Sequence, residues 1–380
     1  MNKNSTIKVL IIQRVFSNYR KPIFDKLNET YDLKILHSAN NNGIKQVKTE
    51  YSEQITAIKY YKKETSVYLA VLKRILSLKP NVIIHEFNPS ILNIYFLIIF
   101  KKILGYSIIL WGHGFNKDKT INIKKFSIRL RIWLARRADA IIVYGNEGKN
   151  NLSKFINREK IFIAYNTLDT AYFSIILKKL NANGKEVIKK ELSVHHKYNV
   201  VFIGRLLKDK ILPEIFVEIV CKITSQISDI AFHIIGEGES ENILKSKLTT
   251  LDNVFFYGAV YDDMLIGKYL FISDLVLNPG YLGLSIIHAF SFGTPVFSFE
   301  KCKTGPYHSP EIEYLINNKN GYLAKDFNIQ DLSNKIVAYL QDAEMQSIFK
   351  NNALYYAYTV ATIENMLSGL NNAIEYVEHK

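Results

Sequence analysis

Residues 275–296 read Leu-Val-Leu-Asn-Pro-Gly-Tyr-Leu-Gly-Leu-Ser-Ile-Ile-His-Ala-Phe-Ser-Phe-Gly-Thr-Pro-Val. A short apolar run ends at Leu277, and a glycine-containing loop follows. A helix is expected to start at about Leu284 and to stop at Gly293, with Pro295 opening the next strand. A strand that feeds a helix through a glycine turn is the repeating unit of a doubly wound α/β sheet. Free amides at the start of such a helix attract anions. Ser285 and His288, three residues apart, would share one face of it, although a histidine on an apolar helix is by default a satisfied core residue.

The same alternation extends along the chain. Apolar runs rich in Ile and Val, at 7–12, 82–84, 107–111, 140–143 and 161–164, read as buried parallel strands, and so do 200–203, 231–235, 254–257, 275–277 and 295–298. Ten strands in two groups of five exceed one domain. The expected division is a first Rossmann-like domain at 1–168, a polar, lysine-rich linker at 169–198, a second Rossmann-like domain at 199–342, and C-terminal helices at 343–380 packing back toward the first domain. Ligands would then bind in a cleft between the carboxyl ends of the two sheets.

With 380 residues, 48% of them hydrophobic and 22% charged, the chain is neither disordered nor low-complexity. Its two cysteines, Cys221 and Cys302, exclude a disulfide framework and a cysteine-rich zinc module. The run at Val9 to Ile12 is too short for the core of a signal peptide, so a cytoplasmic protein is expected. No run reaches the ~18 apolar residues of a membrane span; 91–100 reads instead as a buried helix. The net charge of +14 calls for an anionic partner. Ten basic residues and one acidic residue, Asp118, lie between Lys101 and Arg137. Within that segment 121–137 reads as an amphipathic helix with Ile123, Phe126, Leu130 and Leu134 in its apolar stripe. Lys124, Lys125, Arg129 and Arg131 would form a basic face suited to the inner face of the cell membrane, or simply a solvated one. No nucleic-acid-binding motif accompanies the charge, so no nucleic-acid partner is expected.

Two further strand ends carry chemistry. In Val201-Phe-Ile-Gly204-Arg205-Leu-Leu-Lys-Asp-Lys210 a glycine turn is followed by an arginine fork and a lysine point charge, able to neutralise a diphosphate. In Leu110-Trp-Gly-His113-Gly114 a histidine sits between glycines at the end of a strand. A nicotinamide enzyme would show Gly-x-Gly-x-x-Gly; the nearest match, Gly236-Glu-Gly238-Glu-Ser-Glu241, lacks the third glycine and carries three acids.

Taken together, in this order, these residues resemble the large fourth family of retaining, nucleotide-sugar-dependent glycosyltransferases with the GT-B fold. The resemblance covers nearly the whole chain. It includes Phe16-Ser-Asn-Tyr-Arg20, the His113 turn, Ala138-Asp-Ala-Ile-Ile-Val143 and Ile163-Ala-Tyr-Asn166-Thr-Leu-Asp169. Its strongest part is Phe-Ile-Gly-Arg205 with Lys210, Ile235-Gly-Glu-Gly238, Phe256-Tyr-Gly258, and Gly283 through Pro295; Glu313 before Asn320-Gly321 also fits. The resemblance implies that Gly204, Arg205, Lys210 and the amides of Gly283, Leu284 and Ser285 bind the diphosphate of a UDP- or GDP-linked sugar. Gly236 and Gly258 would border the base and ribose. His113 would serve the sugar side of the reaction. Tyr19, Arg20 and Asn166 would lie on the acceptor side, facing a lipid-linked or oligosaccharide acceptor of O-antigen or capsule assembly. Transfer would retain anomeric configuration, a phosphate oxygen taking the acceptor proton while Arg205, Lys210 and the amides stabilise the leaving diphosphate. There is no Asp-x-Asp, only the adjacent Asp262-Asp263, so no metal and no cofactor are expected.

One departure stands out. The family usually has two glutamates, where this chain has Gly280 and His288. His288 could bond a ribose hydroxyl or a phosphate, and Glu311 or Glu313 could lend a carboxylate. Loss of both glutamates also leaves open an inactive nucleotide-sugar binder or membrane scaffold. A GT-B sugar-nucleotide epimerase is a further alternative; it would need paired acid and base groups.

Overall fold

A computed structural model describes residues 7–38, 46–59, 65–115, 121, 124–302 and 305–379. Contacts divide the chain into two units: residues 1–166 with 363–380, and residues 167–362.

In chain order the first unit holds β1 (Lys8–Gln13), β2 (Asp32–Ser38), β3 (Ser52–Ile55), β4 (Ala57–Lys59), β5 (Ser66–Tyr68), β6 (Val82–Glu86), β7 (Ser107–Trp111), β8 (Ala140–Val143) and β9 (Ile161–Ile163). Seven of them form one parallel sheet, ordered β3-β2-β1-β6-β7-β8-β9, while β4 and β5 pair antiparallel. Register is fixed through the centre, with Ile11 opposite both Ile35 and Ile84. Successive residues face opposite sides. Leu10, Ile12, Ile83, Leu110 and Ile141 pack under the helices Val71–Leu78, Asn93–Leu104 and Phe126–Arg137. Val9, Ile11, Ile84, Ile109 and Ile142 pack under Lys21–Thr30 and the C-terminal helix Ile363–Glu378.

The second unit holds β10 (Tyr198–Ile203), β11 (Ile230–Ile235), β12 (Val254–Phe256), β13 (Leu275–Leu277), β14 (Val296–Phe299) and β15 (Gly321–Ala324), parallel in the order β12-β11-β10-β13-β14-β15. The stretch 169–198 forms two helices, Thr170–Asn183 and Lys185–Glu191, with Phe173, Leu180 and Ile188 buried.

The structure corrects three sequence expectations. Five strands were not anticipated: β2, β3, β4, β5 and β15. Two of these, β2 and β3, lie toward one edge of the first sheet, where polar residues break the apolar run, and β15, an edge of the second, is a four-residue strand that begins with Gly321. The helix spanning 91–100 is not wholly buried. Ile94, Leu97 and Ile98 face the core, but Ile99 and Ile103 are 60% and 78% exposed. The basic helix runs from Phe126 to Arg137, and its buried residues are Ile128, Ile132, Leu134 and Ala135, so that among the described residues of the expected stripe only Leu134 is buried. Phe126 is 75% exposed; Ile123 lies outside the described residues.

Candidate functional site

In the second unit, backbone pairing continues past the strands into their carboxyl-end loops. The Gly204 amide donates to the Ile235 carbonyl (3.0 Å), Leu206 to Glu237 (2.9 Å) and Gly236 to Gly258 (2.7 Å). These approaches demand glycine. A Cβ on Gly236 would lie 1.8 Å from the Gly204 carbonyl oxygen, and one on Gly238 2.7 Å from that of Leu206. The result is a rim of bare backbone along the ends of β10, β11 and β12. Gly204, Gly236 and Gly258 are therefore contiguous.

Arg205 projects from this rim. It is exposed and makes no side-chain hydrogen bond or ion pair among the described residues. Lys210 lies on the following turn, Lys208–Ile211, with its ammonium 3.9 Å from the centre of the Tyr281 ring. The loop after β13 is packed on that turn: the Tyr281 amide donates to the Asp209 carbonyl (2.8 Å). The Tyr281 hydroxyl bonds Ser309 Oγ, and the His308 ring joins this loop to the next. Its Nδ1 accepts from the Leu282 amide (3.1 Å) while its Nε2 donates to the Phe299 carbonyl (2.9 Å), which fixes the neutral tautomer. At the start of the Ser285–Ser291 helix the amides of Gly283, Leu284 and Ser285 have no acceptor among the described residues. One side of the site thus offers bare glycine backbone and the other offers unfilled amides, with a guanidinium and an ammonium between them. An anionic group such as a diphosphate is what this arrangement can hold.

His288 is not the satisfied core histidine expected by default. Its ring stacks on Phe173 at 4.6 Å and 15°, and its Nε2 has no partner among the described residues. Burial pushes its pKa down to about 4, so at neutral pH it carries no charge with which to hold a phosphate. The structure does not pair it with Ser285. Glu313 lies in the short turn Pro310–Tyr314, and Glu311 is buried in the same turn. Asn320 closes the next turn, accepting from the Ile316 amide (2.7 Å) and donating to the Tyr314 carbonyl (2.9 Å). Asp262 caps the helix Asp263–Ile272.

The first unit gathers its own cluster at the ends of β1, β7 and β8. His113 is exposed in the turn after β7, its ring 5.0 Å from that of Tyr144. Arg20 donates from Nη2 to the Tyr144 hydroxyl (2.8 Å) and from Nε to that of Tyr19 (3.1 Å), and lies 4.8 Å from the Trp111 ring. Asn166 is buried beyond β9. Lys124, Lys125 and Arg129 are exposed. Arg131 is not, and its membrane-facing assignment is corrected. It points inward because two backbone carbonyls need a donor: its Nη1 donates to Gly114 (2.9 Å) and Phe87 (3.3 Å). Sequence reasoning missed Tyr281, His308, Ser309, Trp111 and Tyr144. Trp111 and Tyr144 end or follow strands, a position that would have singled them out.

Two parallel Rossmann-like sheets flanked by helices are the architecture of the GT-B fold. Residues 184–354, which include Arg205, Lys210 and the Ser285–Ser291 helix, match the family model of glycosyl transferases group 1. The chain is 25% identical over 282 residues, 72% of its length, to a poly(ribitol-phosphate) alpha-N-acetylglucosaminyltransferase of Staphylococcus aureus (strain COL), and spans about half (52%) of that relative. Among solved structures it resembles Anabaena Alr3699/HepE in complex with UDP, with a TM-score of 0.70, 16% identity and coverage of 97% of this chain and 100% of that one. It also resembles the lipopolysaccharide outer core galactosyltransferase WaaB, with a TM-score of 0.63, 15% identity and coverage of 97% and 99%.

Proposed function

We propose that the protein is a glycosyltransferase that moves a sugar from a UDP- or GDP-linked donor to a lipid-linked or oligosaccharide acceptor in surface polysaccharide assembly, such as that of O-antigen or capsule. The observation that carries this reading is the backbone rim at Gly204, Gly236 and Gly258 with Arg205 and Lys210 beside it, inside the stretch that matches the group 1 model. The reading is supported by the relatives: one is named for transfer to poly(ribitol-phosphate), one for the lipopolysaccharide outer core, and one was solved with UDP.

In this proposal Arg205, Lys210 and the amides of residues 283–285 take up the negative charge that develops on the departing nucleoside diphosphate. The acceptor hydroxyl attacks from the same face, with retention, and a donor phosphate oxygen receives its proton. His113 serves the sugar side of the reaction. These groups supply the charge a metal would otherwise bring, so chelators leave the rate unchanged. Thermal shift against UDP, GDP, CMP and dTDP and their sugars tests the donor site. A ligand at 100 times its Kd stabilises by about 2.7 kcal/mol, and this shift is absent in Arg205→Ala. If no nucleotide shifts the protein, the reading fails; binding without turnover would leave an inactive nucleotide-sugar binder.

The proposal includes work at an anionic membrane surface. Among the described residues no helix is long and apolar enough to cross a membrane. The helix Asn93–Leu104, however, turns Ile99, Phe100 and Ile103 outward, and it packs beside the helix that carries exposed Arg129, Arg136 and Arg137. Apolar side chains ringed by cations suit shallow insertion among anionic headgroups.

A further inference from the structure

Arg20 is a cation with no counter-charge among the described residues. Its guanidinium lies 4.8 Å from the Trp111 ring and 5.6 Å from those of Tyr19 and Tyr144, and its two hydrogen bonds to side chains go to phenols. No carboxylate pairs with it among the described residues. The nearby acid, Glu86, is already held by Arg14, through Nε at 2.6 Å and the backbone amide at 3.1 Å. Burial alone would loosen the Arg20 proton, but the Tyr144 and Tyr19 oxygens more than offset this, so the side chain stays charged.

Its place on the chain sharpens the point. Arg20 is the N-cap of the helix Lys21–Thr30 and makes no capping bond there. A cation at that end opposes the helix dipole, so helix stability does not explain it. A partly desolvated guanidinium at a positive helix terminus is costly until an anion completes it. Two of its five N–H groups are engaged, and the rest of its planar fork matches the oxygens of a phosphate. The exposed His113 ring adjoins the same Tyr144.

We propose that Arg20, caged by Tyr19, Trp111 and Tyr144, seats a phosphoryl group carried by the acceptor substrate. The acceptor is then anionic, a narrower class than the transferase reading on which this rests.

Trp111 supplies the readout. The chain has two tryptophans, and Trp133→Phe leaves Trp111 alone. In that background glycerol phosphate is titrated at constant ionic strength against glycerol with sodium chloride. A saturable fluorescence change is expected, absent in Arg20→Gln, at least tenfold weaker in Arg20→Lys and retained in Arg205→Ala. Vesicles of phosphatidylglycerol in phosphatidylcholine form a second arm; a response to them and not to glycerol phosphate puts the phosphoryl group on a lipid. If neither probe differs from the chloride control, or if the response survives in Arg20→Gln, the proposal is overturned. A nucleotide thermal shift with no Trp111 response would sink this inference and leave the transferase reading standing. A Trp111 response with no nucleotide thermal shift would keep Arg20 as a phosphoryl site but sink the transferase reading, and with it the assignment of that phosphoryl group to an acceptor.

Discussion

Gly280 occupies a position where the family resemblance leads one to expect a glutamate, and the reason is space. A Cβ there would lie 2.4 Å from the Lys210 carbonyl oxygen and 2.5 Å from that of Asp209. Both are backbone atoms, so no rotamer relieves the clash. The turn that carries Lys210 fills the room a side chain would need. Gly280→Ala should therefore lower stability by about 1–3 kcal/mol, the usual cost of overpacking, read as a lower urea midpoint. Gly280→Glu should lower it at least as far, with no gain in donor affinity. An unchanged midpoint would show that the turn moves aside. His85 and His233 make a second prediction at this scale. Both are buried in strands, and burial pushes each pKa down to about 4. His233 is fully bonded, to the Tyr257 hydroxyl (2.9 Å) and Asn199 Oδ1 (3.0 Å). Below pH 6.5 the unfolded chain takes up a proton at each, whereas the folded chain does so only near pH 4. Stability therefore falls as pH drops through that window, by about 3 kcal/mol per histidine at most. Urea unfolding at pH 7, 5.5 and 4.5 measures it, and His233→Gln should flatten the slope.

At the scale of elements, what could be read from sequence depends on what a pattern can see. The bounds of β7, β8 and β13 agree with the reading because a strand buried on both faces is an unbroken apolar run. Gly204 was legible as a glycine turn at a strand end, whereas Gly236 and Gly258 came only from the family resemblance, because the backbone contacts that join the three form between strands far apart in sequence. β2, with Asp32, Lys34 and His37 among its apolar residues, interrupts such a run. The helix Phe126–Arg137 shows a deeper limit. Its expected apolar stripe fitted the spacing, yet its buried face includes Ile128 and Ile132, and Arg131 turns inward to backbone carbonyls. Periodicity counts a cation as solvent-facing and cannot anticipate a carbonyl that needs a donor. The outward stripe of Asn93–Leu104 was hidden for the mirror reason: apolar residues on both faces read as a buried helix. That stripe gives a prediction. Ile99→Ser with Ile103→Ser should release the protein from phosphatidylglycerol vesicles in flotation, and Arg129→Glu should weaken binding further at low salt. Undiminished flotation of the double serine variant would remove the membrane proposal.

At the scale of the whole molecule, the chain leaves its first unit after Asn166 and returns to it at Ile363. The returning helix is not an appendage. Met366, Leu370, Ala373 and Ile374 are buried in the same cluster as Ile142 and Ala164. Gly369 lets it approach so closely that a Cβ would stand 2.0 Å from the Ile163 carbonyl oxygen. Burial of Met366, Leu370 and Ile374 contributes about 1.5–3 kcal/mol each, a sum comparable with the roughly 5–15 kcal/mol that holds a domain together. The first 166 residues should therefore not fold stably without the last helix, although some 200 residues of another unit separate the two in sequence. Gly369→Val tests this without truncation. Both tryptophans, Trp111 and Trp133, belong to the first unit, so tryptophan fluorescence follows that unit alone. The substitution should move the fluorescence transition to lower denaturant while far-UV circular dichroism keeps a later step from residues 167–362. A single transition, shifted equally in both signals, would mean instead that the two units unfold as one.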